Sequence, residues 1–212
     1  MLRATRAVGL ALVACLSLSS ATPAIAMSEP ALVDRVVESG GPTRAALEAA
    51  MRAYDRAEHA GLVAHPGLLT VIDYTRSSID RRLWVIDLRS GDVLFDELVA
   101  HGRGSGDVLA TVFSNDDNSH MSSLGLFVTR DAYVGHNGYS LRLDGLDPGL
   151  NDHARARAIV IHGAAYVSEA FAKQIGRLGR SWGCPAVRPE IAQTLIDTIK
   201  GGTVVFAYGH AA

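Results

Sequence analysis

The spacing of apolar positions changes once along the 212-residue chain, and the change divides it in two. Between 43 and 60, Ala46, Leu47, Ala50, Met51 and Tyr54 recur at i, i+3, i+4 intervals, which sets them on one face of a helix. A shorter helix is expected over 30–38. Gly40-Gly41-Pro42 separates the pair, with Pro42 or Thr43 placed to start the second helix and Gly61 to end it. From about Leu68 the period shortens. Strands are expected at 69–74, 83–88, 93–95, 126–129, 139–143, 158–162 and 204–208, the second and third joined as a hairpin through Ser90-Gly91-Asp92. Two short helices interrupt late, over 168–175 and 189–200. Many strands and few helices predict a mainly β domain of α+β class. Its sheet is expected to bend over or to pair with a second as a β-sandwich, with the N-terminal helical pair packed outside. The division expected is 27–67 for the helical segment and 68–212 for the β domain.

The first 26 residues do not belong to that pattern. Arg3 and Arg6 precede an uncharged apolar run over 8–18, and a small, polar stretch ends in Ala24-Ile25-Ala26. That is the form of a cleaved secretory signal peptide, so the chain is expected to be exported to the periplasm or cell envelope. Leu12-Val13-Ala14-Cys15 offers a second export route, in which Cys15 is acylated and anchors the protein. After the first thirty residues no run is long and apolar enough to span a bilayer, so no transmembrane anchor is expected once the signal is removed.

Composition narrows the function classes. Apolar residues make up 48% and charged ones 20%, enough to bury a core and too ordered a balance for a disordered chain. Twenty basic against 22 acidic residues give a net charge of −2. Phosphate affinity needs clustered positive charge, so nucleic acid is not an expected partner. The glycine-rich 101–106 segment lacks the Gly-Lys-Ser/Thr ending of a phosphate loop and reads as a turn. The Asp-rich 114–118 loop lacks the glycine and distal glutamate of a calcium loop. The eight histidines show no metal-ligand spacing, so neither a metal nor an organic cofactor is expected.

Only two cysteines exist, and Cys15 lies in the leader. The mature chain therefore keeps one thiol, Cys184, in an oxidising compartment. Such a residue is a pairing site for another molecule, a reactive nucleophile or an inert buried hydrophobe. Its surroundings favour chemistry. An apolar strand ends at Ile161-His162-Gly163, and twenty-two positions after the histidine comes Arg180-Ser181-Trp182-Gly183-Cys184-Pro185. A thiol attacks as thiolate and needs a base or cation near neutral pH, and imidazole titrates close to neutrality. Gly183 allows a tight turn, from which its amide and that of Cys184 can face a developing oxyanion.

His-Gly at a strand end followed by Ser/Thr-x-Gly-Cys resembles the signature of the L,D-transpeptidases (the YkuD-type catalytic domain). It is closest to the divergent branch called murein L,D-transpeptidase catalytic domain proteins. Ser123-Leu124-Gly125-Leu126-Phe127-Val128 is a weaker match upstream, and the likeness spans about 68–208. The resemblance implies an L,D-transpeptidase-like fold and cysteine-dependent acyl transfer on peptidoglycan stem peptides. Cys184 would be the nucleophile, His162 the base, the Gly163 carbonyl the group that orients the imidazole, and Gly183 part of the turn. A thioester would form and an amine acceptor would give 3→3 crosslinks. It also implies Arg180, Ser181, Trp182 and Tyr139 as candidate substrate-binding residues. The chain departs from the family pattern in having Trp182 where His is common, and Pro185-Ala186 where an aliphatic residue and a cation or Asn usually follow the cysteine. Arg180 or Arg188 is expected to replace that cation. Two alternatives stay open: hydrolysis of the same stems as an L,D-carboxypeptidase or endopeptidase, and a non-catalytic peptidoglycan-binding envelope protein.

Overall fold

The fold rests on a computed structural model that describes residues 28–210; the leader and Cys15 lie outside the described residues. Helix α1 covers Glu29–Glu38 and α2 covers Arg44–His59. Thr43 is the cap of α2: its hydroxyl accepts from the Ala46 amide and donates to Asp73 at 2.8 Å, which ties the helix start to the sheet. Eight strands follow: β1 Leu68–Asp73, β2 Leu83–Asp87, β3 Asp92–Glu97, β4 Gly125–Gly135, β5 Gly138–Gly145, β6 Val160–Gly163, β7 Ala186–Val187 and β8 Val204–Tyr208. Helix α3 (Glu169–Ile175) lies between β6 and β7, and α4 (Pro189–Ile199) between β7 and β8. Among the described residues no helix is long and apolar enough to cross a membrane.

The strands form one continuous sheet in the order β3-β2-β1-β8-β4-β5-β6-β7. It is a single bent sheet rather than two stacked ones, with register breaks in β2–β3 and in β4–β5, where a bulge increases local bend and twist. The mixed α+β class follows directly from this order.

Alternation along the strands decides what each face packs against, because successive side chains point to opposite sides. Val71, Trp84, Ile86, Leu126 and Val204 join Leu47, Ala50 and Tyr54 of α2 in one core. Their neighbours Ile72, Leu83, Val85, Phe127 and Val205 face the other way and pack with Leu195, Ile196 and Ile199 of α4. The sheet is therefore covered on both faces, and α2 shares a core with it.

The strands differ from expectation in length, and one short strand was not expected. β4 and β5 extend beyond 126–129 and 139–143 to meet at His136-Asn137, so the 135–138 segment is a hairpin tip. Gly138, at φ +73°, follows the two tip residues and allows the tight reversal. β7 has two residues, too few for any periodicity to reveal. It nevertheless sets the site, lying between β6 and the 97–101 segment, where Ala100 donates to the Ala186 carbonyl at 2.8 Å.

Candidate active site

The apolar run of β6 ends at His162, which pairs in parallel register with Ala186 of β7. Cys184 lies two residues before Ala186. It lies just before β7, so it and His162, 22 apart in sequence, come to line one open cavity of about 590 Å³. Gly163, Tyr166, Arg180, Ser181 and Trp182 also line it, together with His136 and Asn137 of the hairpin tip. Cys184 and His162 are largely enclosed, at 9% and 5% exposure, and both line this cavity.

The imidazole is oriented by its own strand. Its Nδ1 lies 3.0 Å from the Gly163 carbonyl, which can only accept, so Nδ1 carries the hydrogen and Nε2 is left as the basic nitrogen. Burial lowers the His162 pKa, opposed by that carbonyl. Burial raises the Cys184 thiol above its ordinary 9.0, opposed by the Val160 amide and by the Arg157 guanidinium. The resting pair is therefore a neutral thiol and a neutral imidazole at pH 7. The thiol sits 3.6 Å from the Ala158 carbonyl.

The turn that carries the thiol is built by hydroxyls. The Ser181 hydroxyl donates to the Cys184 carbonyl at 2.6 Å and accepts from the Gly183 amide at 3.1 Å. The Ser122 hydroxyl donates to the Gly183 carbonyl at 3.1 Å and accepts from the Gly102 amide. A trans peptide holds its C=O and N–H on opposite sides, so anchoring the Gly183 carbonyl on Ser122 turns the Cys184 N–H away from it. That N–H has no main-chain partner among the described residues. Gly183 itself has φ +120°, and a Cβ there would stand 2.7 Å from the Met121 carbonyl oxygen. Both conformation and space demand glycine.

Several sequence expectations need correction. The Gly183 amide is committed to Ser181, so it does not face the cavity as an oxyanion donor. Ser181 lines the cavity, but its hydroxyl is spent inside the turn. Tyr139 is not at the site: its hydroxyl donates to Asp197 of α4 at 2.6 Å, and its ring packs against the core on that side. Arg188 forms a bidentate pair with Glu97 at 2.8 and 2.9 Å and is unavailable as the missing cation. Arg180 does line the cavity, yet its guanidinium is held by the Gly106 carbonyl and by Asp107. Trp182 stands on the rim, 68% exposed.

Two residues that the sequence did not single out stand close to the thiol. Arg157 donates to the Ser114 and Met121 carbonyls and to the Ser119 and Ser123 hydroxyls. This places its guanidinium behind the turn, 3.4 Å from where a Gly183 Cβ would sit. Tyr166 lines the cavity with its phenol pushed up to about 12, chiefly by burial and then by Cys184, so it remains a hydrogen-bond donor. Neither had a motif to mark it; Arg157 lies in an irregular turn with no periodicity.

The family profile described as L,D-transpeptidase catalytic domain matches residues 40–208. No curated protein matches the chain. Among solved structures, an L,D-transpeptidase from Mycobacterium smegmatis is 14% identical, with a TM-score of 0.41, covering 68% of this chain and 59% of that one. L,D-transpeptidase 1 of Mycobacterium tuberculosis is 15% identical, with a TM-score of 0.38 over 68% and 62%. The helical cell shape determining protein Pgp2 of Campylobacter jejuni is 14% identical, with a TM-score of 0.43 over 68% and 48%. The chain thus spans about half to three fifths of the length of these structures.

Proposed function

The chain belongs to the L,D-transpeptidase catalytic domain family, and from that premise we propose that it is an exported, cysteine-dependent acyltransferase acting on peptidoglycan stem peptides. The observation that carries this reading is the sharing of one open cavity by the single mature thiol, Cys184, and the oriented imidazole of His162. The leader over 1–26 is its route out of the cytoplasm.

In the proposed reaction the Cys184 sulfur attacks the carbonyl carbon of the third stem residue as Nε2 of His162 takes the thiol proton. A C–S bond forms, and the carbonyl oxygen becomes an oxyanion facing the Cys184 N–H, with the Tyr166 phenol as a second donor on the cavity wall. The tetrahedral adduct collapses by breaking the C–N bond to the terminal D-Ala, and His162 returns its proton to that amine. A neighbouring stem's amine then attacks the thioester, gives its proton to His162, and releases the thiol with a 3→3 crosslink. Arg157, behind the turn, favours the thiolate in both half-reactions. Gly163 acts through its carbonyl, keeping Nε2 basic as the charged imidazolium forms.

The test is incubation of the purified protein with tetrapeptide muropeptides, read by mass spectrometry. Crosslinked dimers and released D-Ala are expected; monomers trimmed by one residue would assign hydrolysis at the same site instead. Cys184→Ala is expected to remove both products, and His162→Ala to slow them about 10²–10⁴-fold. Turnover that persists in Cys184→Ala refutes the thiol mechanism.

A further inference from the structure

Trp182 is 68% exposed although it lies between Ser181 and Gly183, which are both buried. The indole is not loose. The His120 ring stacks on it, with centroids 4.8 Å apart and planes 28° from parallel. The Arg103 guanidinium stands 5.6 Å from the indole centroid. Arg103 also donates to Nδ1 of His120 through Nε and Nη2, at 3.3 and 3.0 Å, so imidazole and guanidinium back the indole as one layer. That bond makes Nδ1 the acceptor and leaves the hydrogen on Nε2, a donor at the edge of the layer. His120 is held at φ +54°, a conformation rare outside glycine, and its carbonyl accepts from the Gly104 amide at 3.0 Å. Three separate segments thus build one platform on the rim of the cavity. The exposure of the indole leaves its other face open to a ligand.

We propose that this platform binds a sugar ring, namely the disaccharide that carries the donor stem; the identity of that strand rests on the acyl-transfer reading above. A cationic ligand is disfavoured, because Arg103 already occupies the layer behind the ring. A pyranose has the matching polarity: an apolar face of C–H groups for the open indole, and a rim of hydroxyl and acetamido oxygens that accept from Arg103 and from Nε2 of His120. Reach agrees with this. Three stem residues separate the attacked carbonyl from the sugar, roughly 10 Å when extended. The Trp182 backbone is two residues from Cys184, at most about 7 Å, and its indole extends a few ångströms beyond.

The experiment separates sugar binding from catalysis. Trp84 is fully buried, so a ligand-dependent change in tryptophan emission comes from Trp182. The full mature chain carrying Cys184→Ala is titrated with the N-acetylglucosaminyl-N-acetylmuramic acid disaccharide lacking any peptide. A saturable change is expected, weakened about tenfold by the additional change Arg103→Ala. With the thiol intact, a donor bearing the disaccharide is expected to exceed the free tetrapeptide about tenfold in kcat/KM, and Trp182→Ala to abolish that preference. No saturable change in emission, or a preference that survives Trp182→Ala, overturns the proposal. Saturable disaccharide binding in a protein that turns over neither donor supports the platform while refuting the acyl-transfer reading.

Discussion

Acid should loosen the turn that carries Cys184 through His101, a fully buried histidine. Its ring has 0% exposure, and its Nδ1 accepts from the Arg82 guanidinium at 2.8 Å while Nε2 approaches the Gly106 carbonyl. Its backbone carbonyl accepts from the Ser181 amide at 3.0 Å, which connects it to the turn that carries Cys184. A proton on Nδ1 would face the Arg82 donor directly. Burial and then Arg82 accordingly lower the ring's pKa from 6.5 to about 4, with Gly106 and Asp107 opposing and Arg180 adding to the shift. Between those two values the unfolded chain binds the proton and the folded one does not, so acid favours unfolding. The stabilisation is fully present above pH 6.5 and is lost as pH falls to about 4. A shift of about 2.5 units corresponds to about 3 kcal/mol, more than a hundredfold in the folding equilibrium. Urea unfolding of the wild type and of His101→Gln, run from pH 7 to pH 4, isolates this contribution, since other titrating groups cancel in the difference. The stability gap between the two proteins is expected to narrow by about 3 kcal/mol across that range. A gap that stays constant would refute the argument.

The acylation rate should rise through a pKa below 6.5, because His162 is lowered by burial and must be neutral to accept the thiol proton; an acid limb centred above 6.5 would instead indicate a resting thiolate–imidazolium pair. Arg157→Gln should push the Cys184 pKa further up, measured as a slower alkylation rate at pH 7, whereas Arg157→Lys should retain part of the rate. Gly183→Ala meets the Met121 carbonyl in a left-handed backbone and should cost about 1–3 kcal/mol in denaturant unfolding, with loss of thiol reactivity.

Most of the fold was readable because each strand carries its own alternation. Val71 and Ile72, or Leu126 and Phe127, announce a strand buried on both faces, and the recurrence of Leu47, Ala50 and Tyr54 announces the helix that covers one of them. β7 was not readable, since two residues have no period, and the parallel pairing of His162 with Ala186, which sets Cys184 and His162 on one cavity, depends on it. Cys184 and His162 were singled out by residue chemistry and family resemblance together, and both line one cavity. Which cation serves the thiol was not legible, because that depends on where a side chain ends. Arg188 follows the cysteine closely in sequence but is pinned to Glu97, while Arg157 comes from a turn 27 residues upstream of the thiol and reaches the back of the turn. Tyr139 misled for the same reason: its strand position is near His162, but its ring is drawn toward α4.

The polar groups beneath the thiol explain how a largely buried cysteine stays usable. Burial alone would leave it a protonated, inert hydrophobe. Opposing that are the Val160 amide and Arg157, whose four hydrogen bonds fix the charge in place before any substrate arrives. The Ser122 and Ser181 hydroxyls fix the peptide planes around Gly183, so that the Cys184 amide need not reorganise when charge develops. His101 and Arg82 hold the 99–106 segment on which that arrangement rests. A neutral thiol shielded in the resting state, with a preset turn behind it, fits the proposed mechanism, in which the thiolate is generated only as His162 removes its proton during attack. Thiol oxidation by hydrogen peroxide should therefore be slow in the wild type at neutral pH and should accelerate as pH rises past the raised pKa of Cys184. Rapid oxidation at pH 7 would mean that the thiolate is already formed at rest.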